Sequence, residues 1–186
     1  MLSEQIKTSM EQNRDSNLEK KIIASNGMEA TGKLTEEEKH AIDYEISLVP
    51  HKKAAVIEAL KIVQQHRGWI SDESVNAIAE YLSMSAAEVD SVATFYNLIF
   101  RKPVGRHVIL LCDSISCYVM GYQKLYAALQ QQLNIKFGET TTDKKFTLLP
   151  NACLGCCDHA PALMIDEDLY RDIKTEELEK ILSNYL

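Results

Sequence analysis

From Thr35 to about residue 97 the apolar residues recur three and four positions apart, the period of one helical face. Thr35 and Glu38 have the spacing of a capping box, and Ile42, Ile46 and Val49 follow on one side of the predicted helix. Pro50 closes it. Ala54, Ile57, Leu60 and Ile62 or Val63 make a second stripe ending at Gly68, a residue suited to the left-handed turn past a helix end. Val75, Ile78, Ala79 and Leu82 predict a third helix. Ser85 and Glu88 repeat the capping-box spacing at the head of a fourth, which carries Val89, Val92 and Ala93. Residues 34–103 are therefore expected to form a helical bundle.

After Pro103 the period changes. Val108 to Leu111 is the short apolar run of a buried strand, and Val119, Tyr122, Leu125, Leu129 and Leu133 give helical spacing over 119–133. Phe146 to Leu149 and Leu163 to Ile165 read as further strands, and Glu167-Asp168 as a turn into a short returning strand over 169–173. Thr175, followed by Glu176 and Glu177, heads a last helix containing Leu178, Ile181 and Leu182. Strands and helices in this order predict a small α/β domain over 104–186, so the expected class is α+β or α/β. Residues 1–33 hold no aromatic side chain and no sustained apolar period, and their five acidic residues balance five basic ones. Such a segment cannot bury enough surface to offset its ordering entropy and is expected to be a mobile polar tail.

Charge and length then remove several function classes. Of 186 residues, 20 are Lys or Arg and 27 Asp or Glu, a net charge of −7 that argues against coating nucleic acid or an anionic membrane. The longest apolar run, Val108 to Cys112, is far short of the roughly 20 residues a spanning helix needs, so no direct membrane insertion is expected. The amino end lacks the apolar and basic features of a secretion or transit signal, which points to a reducing cytosol. Residues 74–94 have the outline of a helix-turn-helix, yet Gly68 to Phe100 contains no Lys or Arg against five acidic residues. A reader of DNA phosphates cannot be built that way. No glycine-rich phosphate loop occurs, so neither NADH nor flavin is expected on this chain itself.

All five cysteines fall in the second half: Cys112 and Cys117, then Cys153, Cys156 and Cys157. Both groups follow predicted strands, on loops that a crossover can bring together. Two close-spaced thiol groups on neighbouring loops suit a tetrathiolate metal site. In a reducing compartment disulfides are disfavoured, but structural zinc and an iron–sulfur cluster both use four thiolates, and spacing alone does not choose between them. His159 stands two residues past Cys157; four thiolates suffice without it, so it is expected to be solvated or hydrogen-bonded. Trp69 is expected as a core anchor, and Phe95, Tyr96 and Phe100 as packing at the junction of the halves.

The two loops, LCDSISCYVMG (111–121) and ACLGCCDHAPA (152–162), resemble the ligand loops of a thioredoxin-like [2Fe–2S] ferredoxin. With ALKIVQQHRGWI (59–70), VATFY (92–96), GETTTDKKFTLL (138–149) and MIDE (164–167), the chain from about residue 35 is similar to the E-subunit family of bacterial NADH:quinone oxidoreductase, respiratory complex I. The resemblance implies a thioredoxin-like α/β domain holding one [2Fe–2S] cluster on Cys112, Cys117, Cys153 and Cys157. Cys156 departs from the family pattern and leaves an adjacent-residue alternative for the last ligand. Also implied are a one-electron role without bond-making catalysis, and a potential near the all-thiolate range of about −400 mV. The implied partners are a subunit carrying FMN and oxidising NADH and a large iron–sulfur subunit; the place is the cytoplasmic side, peripheral to the inner membrane. An equivalent subunit of an NAD-linked hydrogenase or formate dehydrogenase fits the same motifs. A zinc-stapled adaptor is the alternative of another class.

Overall fold

The computed structural model describes residues 32–185. The tail expected over residues 1–33 lies, up to residue 31, outside the described residues. The described residues divide into two compact units, the first ending at Pro103 and the second beginning at Val104.

The first unit contains α1 (Glu36–Ser47), α2 (Val56–Arg67), α3 (Asp72–Leu82) and α4 (Ala86–Phe95), with a 3-10 turn at Lys52–Ala55 leading into α2. Their ends follow from side-chain chemistry. Thr35 and Ser85 accept from the backbones of Glu38 and Glu88, whose carboxylates reach back to the caps, closing both capping boxes. Ser71 caps α3 by accepting from Ser74. Gly68, at φ 82°, ends α2 in the left-handed conformation. Ile42, Leu60, Ile78 and Leu82 are fully buried where the helices meet, each contributing roughly 1.5–3 kcal/mol by leaving water. Glu38 lies in the same interior and is met by both arms of the Arg67 guanidinium, at 2.7 and 2.6 Å. Trp69 is only half-buried; its neighbour Ile70 fills the core position instead.

The second unit runs β1 (His107–Cys112), α5 (Ile115–Val119), α6 (Tyr122–Leu133), β2 (Phe146–Asn151), β3 (Leu163–Ile165), β4 (Asp168–Tyr170) and α7 (Leu178–Ser183). The sheet order is β2-β1-β3-β4, with β1 parallel to β2 and antiparallel to β3. β1 is buried at every residue, as an apolar central strand requires. Pro150 sits opposite Leu111 on the edge strand β2, where the missing N–H breaks no ladder.

Three expected boundaries shift. The helix expected over 119–133 is two helices, broken where Gly121 takes φ 114°. The turn before β4 is Asp166–Glu167, one residue earlier than expected, and Asp166 has φ 52°. Its carboxylate lies 2.7 Å from His107 Nδ1 and accepts from Val108 N at 3.1 Å, which pins the chain reversal there. The last α-helix begins at Leu178 after a 3-10 turn at Thr175–Glu177. The Thr175 hydroxyl bonds Glu176 rather than capping the turn, and Glu177 closes it on Lys174 N.

Candidate functional site

Parallel pairing of β1 and β2 decides where the cysteines meet. Cys112 and Asn151, the last residues of the two strands, are paired in register, so the loops beyond them leave the sheet side by side. Asp113 N donates to Asn151 O at 3.0 Å and Cys112 N to Ala162 O at 3.2 Å, holding both loops at this end. α5 presents Cys117, the loop after β2 carries Cys153, and Cys157 opens the 3-10 turn Cys157–His159.

The sulfurs come as two pairs. Cys112 and Cys117 are buried together in one cluster. Cys153 and Cys157 are exposed, with sulfurs 3.5 Å apart. Two thiolates on one tetrahedral metal with bonds of about 2.3 Å stand roughly 3.8 Å apart, so this pair is nearly at ligand spacing. The Cys112 sulfur lies 3.4 Å from Ser114 Oγ. Among the described residues no three His, Cys, Asp or Glu side chains close around a single point fit for one ion.

Burial pushes the Cys112 thiol up, but hydrogen bonds from the Ser114 hydroxyl and from the amides of Ser114 and Leu154 outweigh it and bring it below the usual range. Burial raises Cys117, with the bond to Cys112 adding to it. Cys157 is raised by its hydrogen bond to Cys153 and by that neighbour's charge. Gly155, at φ 78°, turns its N–H onto the Cys153 sulfur at 3.3 Å, an approach for which the left-handed conformation favours glycine. Amides aimed at sulfur stabilise thiolate charge and tune whatever the thiolates hold. The donor set, four sulfurs in two pairs with amide and hydroxyl donors around them, fits a two-iron cluster.

Cys156 lies on the buried side of the site. It is buried with Cys112, Cys117, Ala160 and Ala162, and burial is the largest cause raising its thiol. His159 turns away to Asp172, its Nδ1 lying 2.7 Å from Oδ2. Reading the sequence for thiols missed Ser114, Ser116 and the Leu154 amide. The two serines between Cys112 and Cys117 were a visible signal; the amide was not, because its direction depends on the loop path.

Comparison with known proteins identifies the family. The model of the thioredoxin-like [2Fe–2S] ferredoxin family matches residues 42–186. The E subunit of NADH-quinone oxidoreductase from Escherichia coli strain K12 is 51% identical over 152 residues, covering 82% of this chain and 92% of that protein. The E subunit from Pseudomonas aeruginosa is 49% identical over 153 residues, with the same coverages. Among solved structures, an NAD+-reducing [NiFe]-hydrogenase in its H2-reduced state aligns with a TM-score of 0.60 at 22% identity, a likeness of fold. It covers 70% of this chain, which spans 22% of the hydrogenase chain. With a family match over most of its length and about half of the aligned residues shared with relatives that it covers almost fully, the chain belongs to the thioredoxin-like [2Fe–2S] ferredoxin family, in the branch of the NADH-quinone oxidoreductase E subunits.

Proposed function

We infer that this chain is an electron-transfer subunit of an NADH:quinone oxidoreductase, with one [2Fe–2S] cluster on Cys112, Cys117, Cys153 and Cys157. The observation that carries the ligand set is the pairing of the sulfurs at the ends of β1 and β2. Two pairs suit two tetrahedral irons better than the single point a lone zinc needs. When bound, such a cluster stores and passes one electron and makes no substrate bond. The chain's own residues do the rest. Cys112 and Cys117 form the dry wall of the site, and Cys153 and Cys157 its edge toward solvent. The Ser114 hydroxyl and the amides of Ser114 and Leu154 favour the charged form of Cys112, and the Gly155 amide donates to the Cys153 sulfur. The partner on the open edge is a subunit bearing FMN and oxidising NADH, which delivers hydride electrons as pairs. A large iron–sulfur subunit lies beyond it, and the assembly places this chain at the cytoplasmic face of the membrane. Among the described residues no helix is long and apolar enough to cross a bilayer.

The test is purification of the full chain, with iron and sulfide analysis and electron paramagnetic resonance after reduction. Two irons, two sulfides and a one-electron signal are expected. A colourless protein carrying zinc would replace this reading with a stapled adaptor.

A further inference from the structure

Tyr122 packs against the cluster of Cys112, Cys117, Cys156, Ala160 and Ala162. It is also the middle of a row of rings. Tyr118, the residue after Cys117 on α5, stacks on Tyr122 with centres 6.4 Å apart, and Tyr126, one turn along α6, stacks on its other side at 6.1 Å. Phe137 closes the row on Tyr126 at 4.2 Å. The planes are tilted by 29°, 10° and 8° in turn, and Tyr118 is 52% exposed, so one end of the row meets solvent. Stacking and burial are served equally by phenylalanine, as at Phe137. The three positions nearest the cysteines are tyrosines instead. A phenol can give up an electron with its proton under oxidants that leave a phenyl ring untouched.

We propose that Tyr118, Tyr122 and Tyr126 form a relay that carries oxidising equivalents from the protein surface to the reduced [2Fe–2S] centre, protecting the side chains around it. The relay rests on the cluster reading above. Its oxidant is a one-electron radical of the peroxyl class, formed where reduced flavins and iron–sulfur centres meet oxygen. The radical takes one electron and one proton from the Tyr118 phenol and leaves as a hydroperoxide. The Tyr118 phenoxyl oxygen then takes an electron from Tyr122 and a proton from solvent, while Tyr122 releases its own proton to solvent. The Tyr122 phenoxyl takes an electron from the reduced centre and a proton from water. The balance is one radical reduced, one electron withdrawn from the centre and no tyrosine consumed. Tyr126 shares the electron vacancy with Tyr122 and serves oxidants arriving from the far side. Transfer between tyrosines is nearly level, and the last step runs strongly downhill, because a phenoxyl is a powerful oxidant and an all-thiolate centre a good reductant.

The experiment uses the full chain with its cluster reduced by dithionite, and azide radicals generated by pulse radiolysis to oxidise phenols. The phenoxyl absorption is expected to appear first and to decay with a rate constant independent of protein concentration, as the spectrum of the oxidised cluster returns. Tyr122→Phe keeps the ring and removes the middle phenol. It should slow that decay at least about tenfold and divert the radicals to cross-linked tyrosine, with iron content and reduction potential unchanged. Tyr118→Phe, at the exposed end, should lower the amplitude of the fast phase without changing its rate. Reoxidation at the wild-type rate in Tyr122→Phe overturns the relay. So does phenoxyl decay that is equally fast when the cluster starts oxidised. A chain without iron overturns the cluster assignment and the relay with it, and its lack of colour separates that result before any radical is made.

Discussion

Cys156 and Cys157 carry the same side chain one residue apart and meet opposite surroundings. Cys156 is buried, whereas Cys157 is exposed with its sulfur beside that of Cys153. Cys156→Ser is expected to leave a stable cluster and Cys157→Ser to abolish or severely weaken it, because a hydroxyl is a poor substitute for a soft thiolate on iron. Iron content and the reduced-state resonance of the two variants check this, and loss of iron from Cys156→Ser would reverse the assignment. Glu38 makes a residue-scale claim in the other unit. Its side chain is 1% exposed and Arg67 16%. Burial would raise its pKa, but the hydrogen bonds from Arg67 and Thr35 and the Arg67 charge outweigh that and hold it below the usual carboxylate range. Its stabilising effect is therefore complete above the unfolded value of about 4.3 and is lost as pH falls through the lower folded value. Glu38→Ala strands the guanidinium and breaks the cap of α1, a loss of about 3 kcal/mol, the low end for a buried pair. Faster hydrogen exchange in α1, α2 and α3 at neutral pH should show it, and the variant should lack the acid step below about pH 4.

Among the elements, those whose ends are set by local chemistry were legible in the sequence. Thr35 with Glu38 and Ser85 with Glu88 gave two helix starts to the residue, and Gly68 gave one helix end. What was not legible depended on partners distant in sequence. The turn at Asp166 is held by His107 and Val108, some sixty positions upstream, and no local pattern announces them. Gly121 breaks a continuous apolar stripe because α5 must lay Cys117 against Cys112 before α6 can start, a demand of the site rather than of helix propensity. The two cysteine groups were legible from spacing, and the proposed ligand set comes from the resemblance; the burial of one pair and the exposure of the other came only from the structure. β1 shows the same dependence at its entry. Gly105 N donates to Thr147 Oγ1 at 2.6 Å, and a Cβ on Gly105 would sit 2.9 Å from Lys145 O and 3.0 Å from Lys144 O. Gly105→Ala must push β1 away from the segment leading into β2, at about 1–3 kcal/mol. A lower urea midpoint, read as loss of the cluster's visible absorbance, is the expected sign; an unchanged midpoint would mean that the backbone yields freely there.

On the scale of the molecule, each unit closes its own core. Every member of the bundle core, from Leu34 to Ile99, belongs to the first unit, and the sheet and cysteine cores lie wholly within the second. Separate cores predict separate folding, since each unit buries its apolar surface without borrowing from the other. A fragment of residues 104–186 should accordingly take up iron and sulfide in the same ratio as the full chain and show the same visible bands. The complementary fragment must begin at Gly32 rather than at Thr35. Leu34 is in the bundle core, and the Lys33 carbonyl accepts from Arg67 Nη2 at 2.9 Å, so removing both weakens the ion pair that Glu38 completes. Helical circular dichroism of 32–103 against 35–103 measures that difference, with the shorter chain less stable. Docking should divide unequally as well: the bundle is expected to supply most of the surface held by the flavin-bearing partner, so 104–186 keeps its colour and binds that partner weakly. Undiminished affinity in the 104–186 fragment would move the docking surface onto the exposed face of α5, where Ile115, Tyr118, Val119 and Met120 stand out beside the cysteines.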